Sequence, residues 1–117
     1  MTKKVAIIDD NRIFRLGTVA QVDGLDGYEG VDVSPNRLDL IPSDVRVFLV
    51  DNRMPNFPFG PELIKKLKPL YPGAVFIGWS NDDDLLLQAA FKEAGAVAFV
   101  RKNISREELM SLLNQNT

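Results

Sequence analysis

Five polar residues stand at or just beyond the ends of apolar segments, where their side chains could do chemistry. They are the carboxylates Asp9, Asp10 and Asp51, the hydroxyl Ser80 and the amine Lys102. Carboxylates that lie close together raise each other's pKa values unless a cation lies among them, so three aspartates at one place indicate a divalent ion. A ligand set of oxygen atoms favours Mg²⁺, with Mn²⁺ as the alternative, and leaves coordination positions for phosphate oxygens.

A simpler interpretation exists for most of these residues. Asp9 and Asp10 could cap a helix that follows a strand, and Ser80 could begin another helix. Lys102 could be a surface lysine whose methylene stem packs on apolar neighbours. Asp51 is harder to explain in this way, because it would lie opposite Asp10, and a carboxylate nucleophile is the better interpretation.

The apolar segments predict a parallel β-sheet. Residues 5–8, 47–50, 75–77 and 96–100 are continuously apolar, as expected of strands buried on both faces, and residues 28–33 are a further candidate strand. The carboxyl ends of parallel strands lie along one edge of the sheet, where open α/β sheets bind their ligands. The polar residues would meet at that edge.

Helical patterns lie between these strands. Ile13, Leu16 and Ala20 predict a first helix that ends near residue 24. Pro35 and Pro42 confine the second segment to one or two turns, which predicts a short or irregular second helix.

Three more helices follow, and their ends have recognisable signals. The first begins at Pro61, and we expect its residues Leu63, Ile64 and Leu67 to be buried and Lys65, Lys66 and Lys68 to be exposed. The second is capped by residues 82–84 and closes at Gly95. The third begins with a capping box at residues 105–108.

The alternation of strands and helices predicts one α/β domain over residues 1–117. Its fold is a doubly wound, five-stranded parallel sheet of order 2-1-3-4-5, flanked by helices.

Composition excludes several kinds of function. The net charge of -2, with scattered lysines and arginines, leaves no basic patch for direct nucleic-acid binding. No apolar stretch reaches the roughly 18 residues of a membrane span, and the first residues lead directly into a strand, so we expect a cytoplasmic protein without membrane contact. Because the sequence has no cysteine and no histidine, its chemistry must use carboxylates, hydroxyls and amines.

In order and spacing, the polar residues resemble the receiver domain of two-component response regulators, the CheY-like family, across essentially the whole chain. The matching residues are Asp9 and Asp10 with Arg15, Asp51 with Met54, Pro55 and Gly60, then Ser80, and finally Gly95, Ala96, Phe99 and Lys102.

The resemblance implies a phosphorelay protein. Asp51 would accept a phosphoryl group from a histidine kinase or histidine phosphotransfer protein and form an aspartyl phosphate. Asp10, Asp51 and the backbone carbonyl of Arg53 would bind Mg²⁺, with Asp9 acting directly or through a water. Such a protein is not an enzyme for other substrates, because it catalyses only its own phosphorylation and dephosphorylation.

The resemblance also implies a switch. Lys102 and Ser80 would contact the phosphoryl oxygens, and the inward movement of Ser80 would open space for rotation of Phe99. The surface formed by the fourth helix, the fifth strand and the fifth helix of the family would then change its affinity for a downstream protein or output domain, or form a phosphorylation-dependent dimer.

The chain departs from the family pattern at several positions. Asn103 replaces the usual Pro after the lysine; a cis peptide before Asn costs roughly 3 kcal/mol, so we expect a trans bond and an altered loop. Asn81 is larger than the usual Ala or Gly and would narrow phosphodonor access. Phe99 replaces the frequent Tyr and loses a phenolic hydrogen bond. The loop after Asp51 is one residue longer, and its Phe57 and Phe59 either pack within the loop or contact a partner.

Arg53 and Asp82 would flank the phosphorylated aspartate. They could pair across its mouth, exclude attacking water and lengthen the lifetime of the acyl phosphate, or they could be exposed and contribute almost nothing.

Two other functions remain open. One is a receiver-like interaction module that assembles partners without phosphorylation. The other is a small Mg²⁺-dependent phosphohydrolase with Asp51 as nucleophile, which is disfavoured because no second carboxylate is clearly placed as acid or base.

Overall fold

The computed structural model describes residues 2–52, 59–81 and 84–117. These ranges contain five β-strands and four α-helices, which alternate except between β2 and β3. In chain order they are β1 (Lys3–Ile8), α1 (Arg12–Asp23), β2 (Tyr28–Val33), β3 (Val45–Asp51), α2 (Gly60–Leu67), β4 (Val75–Ser80), α3 (Leu85–Ala94), β5 (Ala98–Arg101) and α4 (Arg106–Asn116). A single 3₁₀ turn, Leu38–Leu40, lies between β2 and β3.

All strand pairs in the described sheet are parallel, and the strand order is β2-β1-β3-β4-β5. The predicted order 2-1-3-4-5 is therefore confirmed. Register aligns the carboxyl ends of the central strands, because Ile8 lies opposite Val50 and Asp51 lies opposite Trp79. Asp51 and Ser80 are consequently the last residues of two adjacent strands.

Two hydrophobic layers cover the sheet. On one face, α2 and α3 pack over a group of phenylalanines in which the rings of Phe48 and Phe76 stack 4.8 Å apart and Phe91 is fully buried. On the other face, α1 and α4 pack over Trp79 and contribute apolar residues such as Leu109. Burial on both faces explains why the strands are continuously apolar rather than alternating.

The predicted position of α1 is confirmed, but the prediction of its apolar stripe is wrong. Ile13 and Leu16 are 86% and 41% exposed, and Ala20 is exposed as well. The buried residues of α1 are Arg15, Thr18 and Val22.

An ion pair between buried Arg15 and exposed Asp32 explains this rotation of the helix. Arg15 Nε donates to the carboxylate of Asp32 on β2, and Arg15 Nη1 donates to the carbonyl oxygen of Asp9 at 2.8 Å. Arg15 therefore turns towards the sheet and Ile13 turns towards solvent. A three- and four-residue apolar spacing could not reveal this, because a charged residue takes the inward position.

The second helical segment is as short as its prolines predict. Its 3₁₀ turn, Leu38–Leu40, has no side-chain cap. Leu38 packs against the core, while Leu40 is 62% exposed. The hydroxyl of Tyr71, in the loop after α2, donates to the carbonyl of Ile41 at 3.5 Å and links this segment to the rest of the fold.

The burial pattern predicted for α2 is confirmed. Its buried residues are Pro61, Leu63, Ile64 and Leu67, with Gly60 at its start, and Lys65, Lys66 and Lys68 are exposed. The last strand begins at Ala98, two residues later than the apolar run suggests.

The predicted caps of the last two helices are present where the structure describes them. Asp84 caps α3 by accepting from Leu86 N at 2.8 Å, and the helix closes at Gly95, whose φ is 112°. Ser105 caps α4 by accepting from Glu108 N at 3.1 Å. Residues 82 and 83 of the predicted cap lie outside the described residues. No helix in the described ranges is long and apolar enough to cross a membrane.

Gly60 lies where the chain returns after β3 and cannot carry a side chain. A Cβ atom there would lie 2.3 Å from the carbonyl oxygen of Asp51 and 2.8 Å from the ring of Phe91. Gly60→Ala should therefore lower the free energy of unfolding by about 2 kcal/mol, measured by urea denaturation.

The matched control for this prediction is Gly73→Ala, because a Cβ at Gly73 meets no atom within 4 Å. We expect the control to change stability by less than about 0.5 kcal/mol. Equal stability of the two variants would contradict the close approach of Gly60 to Asp51.

Candidate functional site

Three carboxylates meet at the carboxyl edge of the sheet. Asp9 follows β1, Asp10 comes next, and Asp51 ends β3. One carboxylate oxygen from each residue lies within 4.8 Å of the others. Asp9 and Asp51 are buried, at 0% and 4% exposure, whereas Asp10 is exposed. The site is thus a group of carboxylate oxygens that is buried at Asp9 and Asp51 and open to solvent at Asp10.

The loop between β1 and α1 holds Asp9 in place. Asp9 Oδ1 accepts from Asn11 N at 2.9 Å, and its carbonyl oxygen accepts from Arg15. The cap of α1 is Asn11, whose Oδ1 accepts from Phe14 N at 3.0 Å. The simpler interpretation of Asp9 and Asp10 as the helix cap is therefore wrong. Their carboxylates are left to face the site.

Lys102 links two of the carboxylates. Its Nζ lies 2.7 Å from Asp9 Oδ2 and 3.0 Å from Asp51 Oδ1. Its side chain is only 9% exposed, so Lys102 is not an ordinary surface lysine. Its backbone N donates to the carbonyl of Ser80 at 2.8 Å, which ties the end of β5 to the end of β4. Lys102 is thus held in the site by both main chain and side chain.

The electrostatics of the group suit a cation. Burial, followed by the charge of Asp9, raises the pKa of Asp51 to about 6, although Lys102 and the amide of Asn52 oppose this shift. For Lys102, burial lowers the pKa, but hydrogen bonds and charges from Asp9 and Asp51 outweigh it and the net shift is upward. When all are ionised, three carboxylates face one ammonium, which leaves two negative charges. An oxygen-only site with that charge fits Mg²⁺.

Ser80 lies at the same edge. It ends β4, is 1% exposed, and follows Trp79, the residue paired with Asp51. The next residue, Asn81, is exposed, and its carbonyl accepts from Arg101 Nη2 at 3.4 Å. The ends of β3, β4 and β5 therefore bring Asp51, Ser80 and Lys102 together, as predicted from the sequence.

Phe99 lies on β5 between this edge and the α3 side of the sheet. Its ring is half-buried and lies 5.3 Å from the ring of Phe91, at 48°. It pairs in register with Gly78, where an added Cβ would lie 2.8 Å from both rings. The absence of a side chain at Gly78 makes room for this aromatic pair.

Two expectations about the loops can be compared with the structure. Every described peptide bond is trans, so the trans bond before Asn103 is confirmed. Phe59 is half-buried and packs against the core, which agrees with loop packing. Arg53, with its carbonyl group, Phe57 and Asp82 lie outside the described residues, so the predicted Arg53–Asp82 pair stays a prediction.

Sequence reasoning missed two contributors to the site. Asp32 anchors Arg15, and Phe14 places its ring over the ammonium of Lys102, 4.6 Å from Nζ to the ring centroid. The sequence did carry a signal for Asp32, because a charged residue within a candidate strand suggests a charged partner. Phe14 gave no signal, because an aromatic residue in a helix is usually part of the core.

Comparison with known proteins places these observations in a family. The sequence model of the response regulator receiver domain matches residues 5–114. No curated protein sequence gives a match.

Solved structures share the fold. The BeF3-activated receiver domain of DrrB is 22% identical, with a TM-score of 0.80, and the match covers 98% of this chain and 97% of that one. The longer response regulator DrrB of Thermotoga maritima, an OmpR/PhoB homolog, is 21% identical with a TM-score of 0.78, and the match covers 98% of this chain but only 52% of that one. The chemotaxis protein CheY4 of Vibrio cholerae is 18% identical, with a TM-score of 0.81 and 100% coverage of both chains.

Removal of the Asp51 charge should stabilise the metal-free protein. The pKa of Asp51 is about 6 when folded and about 3.9 in an unfolded chain. The folded state therefore holds this proton more tightly, and stability is lost as pH rises from about 4 to about 6. Asp51→Asn avoids that loss, so we expect a gain of about 3 kcal/mol at pH 8 and little change at pH 4.

Urea denaturation in EDTA across this pH range measures the effect. The control is Asp26→Asn, at an exposed position in the turn after α1, which should leave the pH profile of stability unchanged. A native protein as stable as Asp51→Asn at pH 8 would contradict the electrostatic description of the site.

Proposed function

Because the chain belongs to the response regulator receiver domain family of two-component systems, we propose that Asp51 accepts a phosphoryl group from the phosphohistidine of a histidine kinase or histidine phosphotransfer protein. The observation that carries this proposal is the buried ammonium of Lys102, which contacts both Asp9 and Asp51. Phosphoryl transfer depends mainly on positioning and on positive charge near the phosphoryl oxygens. A fixed ammonium beside a carboxylate nucleophile supplies both.

The reaction transfers the phosphoryl group to one carboxylate oxygen of Asp51. A new P–O bond forms as the P–N bond to the donor histidine breaks, and the electron pair of that bond returns to the imidazole. A pKa of about 6 leaves Asp51 ionised, and hence nucleophilic, at neutral pH. Lys102 then exchanges its contact with Asp51 for one with a phosphoryl oxygen while it keeps Asp9 as its partner.

The carboxylates of Asp9, Asp10 and Asp51 and the carbonyl of Arg53 would hold Mg²⁺, or Mn²⁺ in its place, which supplies further positive charge to the phosphoryl oxygens. Three carboxylate oxygens within 4.8 Å of one another, with two uncompensated negative charges, support this assignment. The hydroxyl of Ser80 would donate to another phosphoryl oxygen.

Phosphorylation would alter the surface formed by α3, β5 and α4. Movement of Ser80 leaves space for rotation of Phe99, which borders a groove of about 350 Å³ between α3 and β5. The family's fourth and fifth helices correspond here to α3 and α4, because a 3₁₀ turn replaces the second helix. Leu85 and Leu86, 78% and 82% exposed at the start of α3, would offer apolar contacts to a partner that docks on this helix.

The partner on this surface would be a downstream protein, an output domain or a second copy of the chain, and no direct contact with nucleic acid is involved. On this proposal the protein acts in the cytoplasm as a phosphorylated switch. It catalyses its own phosphorylation and dephosphorylation and has no other substrate.

Binding of an acyl-phosphate mimic tests the proposal. The DrrB receiver domain was solved in a BeF3-activated form, and we expect beryllofluoride to bind this chain when Mg²⁺ is present. Trp79 is buried and its ring lies 6.4 Å from that of Phe14, which contacts Lys102, so its fluorescence should report binding. Asp51→Asn is the control and should give no response. Absence of binding by calorimetry in the native protein would favour the phosphorylation-independent interaction module.

Lys102→Gln separates the two roles of the ammonium. With phosphoramidate as donor and Mg²⁺ present, we expect phosphorylation to slow about 100-fold, because one charged contact to the phosphoryl group is lost. In EDTA, the free energy of unfolding should fall by about 3 kcal/mol, since Asp9 and Asp51 lose their buried counter-ion. Mg²⁺ should restore much of that stability.

The matched control is Lys65→Gln on the exposed face of α2, which should change neither quantity. Native phosphorylation rates in Lys102→Gln would overturn the proposed role of Lys102.

A further inference from the structure

The ammonium of Lys102 has a third neighbour besides its two carboxylates. Nζ lies 4.6 Å from the ring centroid of Phe14, within the range of a cation–π contact. An ammonium has three N–H donors, and Asp9 and Asp51 accept at 2.7 Å and 3.0 Å. The negative face of the ring covers a cation that is almost completely removed from water, and such contacts are strongest in that setting.

Phe14 has contacts at both its main chain and its ring. Its backbone N donates to Asn11 Oδ1 at 3.0 Å, and its carbonyl accepts from Thr18 Oγ1 at 2.9 Å, which fixes the first turn of α1. On the side of the sheet, the ring lies 6.4 Å from that of Trp79, which is 1% exposed. Phe14 therefore lies between Trp79 of the buried core and the Lys102 ammonium, with its main chain fixed by two hydrogen bonds.

The arrangement also explains why an aromatic residue suits this position. A leucine would fill similar space, but it has no negative face to attract a cation. Asp9 and Asp51 could draw the ammonium to either carboxylate, since each is a strong partner. The ring gives the ammonium a third contact, at 4.6 Å from Nζ to the ring centroid, beside its contacts with the two carboxylates.

We propose that Phe14 is a positioning residue that holds the Lys102 ammonium between Asp9 and Asp51 through its aromatic face. This proposal deepens the proposed function and rests on it for the role of Lys102 in phosphoryl transfer. The position of the ammonium does not depend on phosphorylation and can be tested without it.

Site-specific replacement of Phe14 by mono-, di- and trifluorophenylalanine tests the contact, because fluorination weakens the negative face with little change in size. The measurement is the ¹⁵N relaxation order parameter of the Lys102 ammonium in the full chain, without donor. We expect a graded decrease along the series and the lowest value in Phe14→Leu. Thermal denaturation checks that each variant is folded.

The same fluorinated series at Phe48 is the matched control. Phe48 is fully buried and stacks on Phe76 in the other hydrophobic layer of the sheet. The order parameter of Lys102 should not change in this series. If fluorination at position 14 has no more effect on Lys102 than fluorination at position 48, the positioning role is overturned, because a purely steric support would survive fluorination.

A kinetic measurement connects the contact to phosphorylation. With phosphoramidate and Mg²⁺, the rate constant of phosphorylation should fall about fivefold in Phe14→Leu and follow the order of ring electrostatics in the fluorinated series. A rate that is independent of fluorination would overturn the functional part of the proposal. If the native chain accepts no phosphoryl group and binds no beryllofluoride, the proposed function fails instead, and the order parameters still decide whether Phe14 holds Lys102.

Discussion

The architecture of the site depends on one buried interaction, the ammonium of Lys102 shared between Asp9 and Asp51. Buried carboxylates are costly unless a cation compensates them, and loss of that cation typically costs about 3–5 kcal/mol because it leaves the carboxylates unpaired. The carboxylates come from the ends of β1 and β3, and the ammonium comes from the end of β5. This charge group therefore requires the three strand ends to stay in register, and the sheet order places them at one edge.

Helix α1 does more than cover the sheet. Through Arg15 it holds the carbonyl of Asp9 and the carboxylate of Asp32, and through Phe14 it covers the ammonium of Lys102. Both residues lie within its first turns, directly after the aspartates. Helix α1 thus orients both Asp9 and Lys102, an anion and a cation of the same charge group. This explains why the polar residue Arg15 occupies the inward face of the helix.

The comparisons show how much sequence change this fold accommodates. At 18–22% identity the five-stranded topology is kept, with TM-scores of 0.78–0.81. The second helix of this chain shrinks to the 3₁₀ turn Leu38–Leu40, and the lysine is followed by Asn103 in a trans peptide. Both features coexist with the contacts of Lys102, because Asp51 ends β3 while Asp9 and Lys102 directly follow β1 and β5.

The sequence by itself determined the elements, the strand order and the meeting of Asp9, Asp10, Asp51, Ser80 and Lys102. These follow from local signals, namely continuous apolar strands, prolines and caps, combined with the rule that parallel strand ends share one edge. Tertiary structure decided which face of α1 is buried and which neighbour covers Lys102. Ile13 and Leu16 were the better apolar candidates, but the ion pair between Arg15 and Asp32 turned the helix. Such a choice depends on a partner 17 residues away, whose position exists only once the sheet has formed.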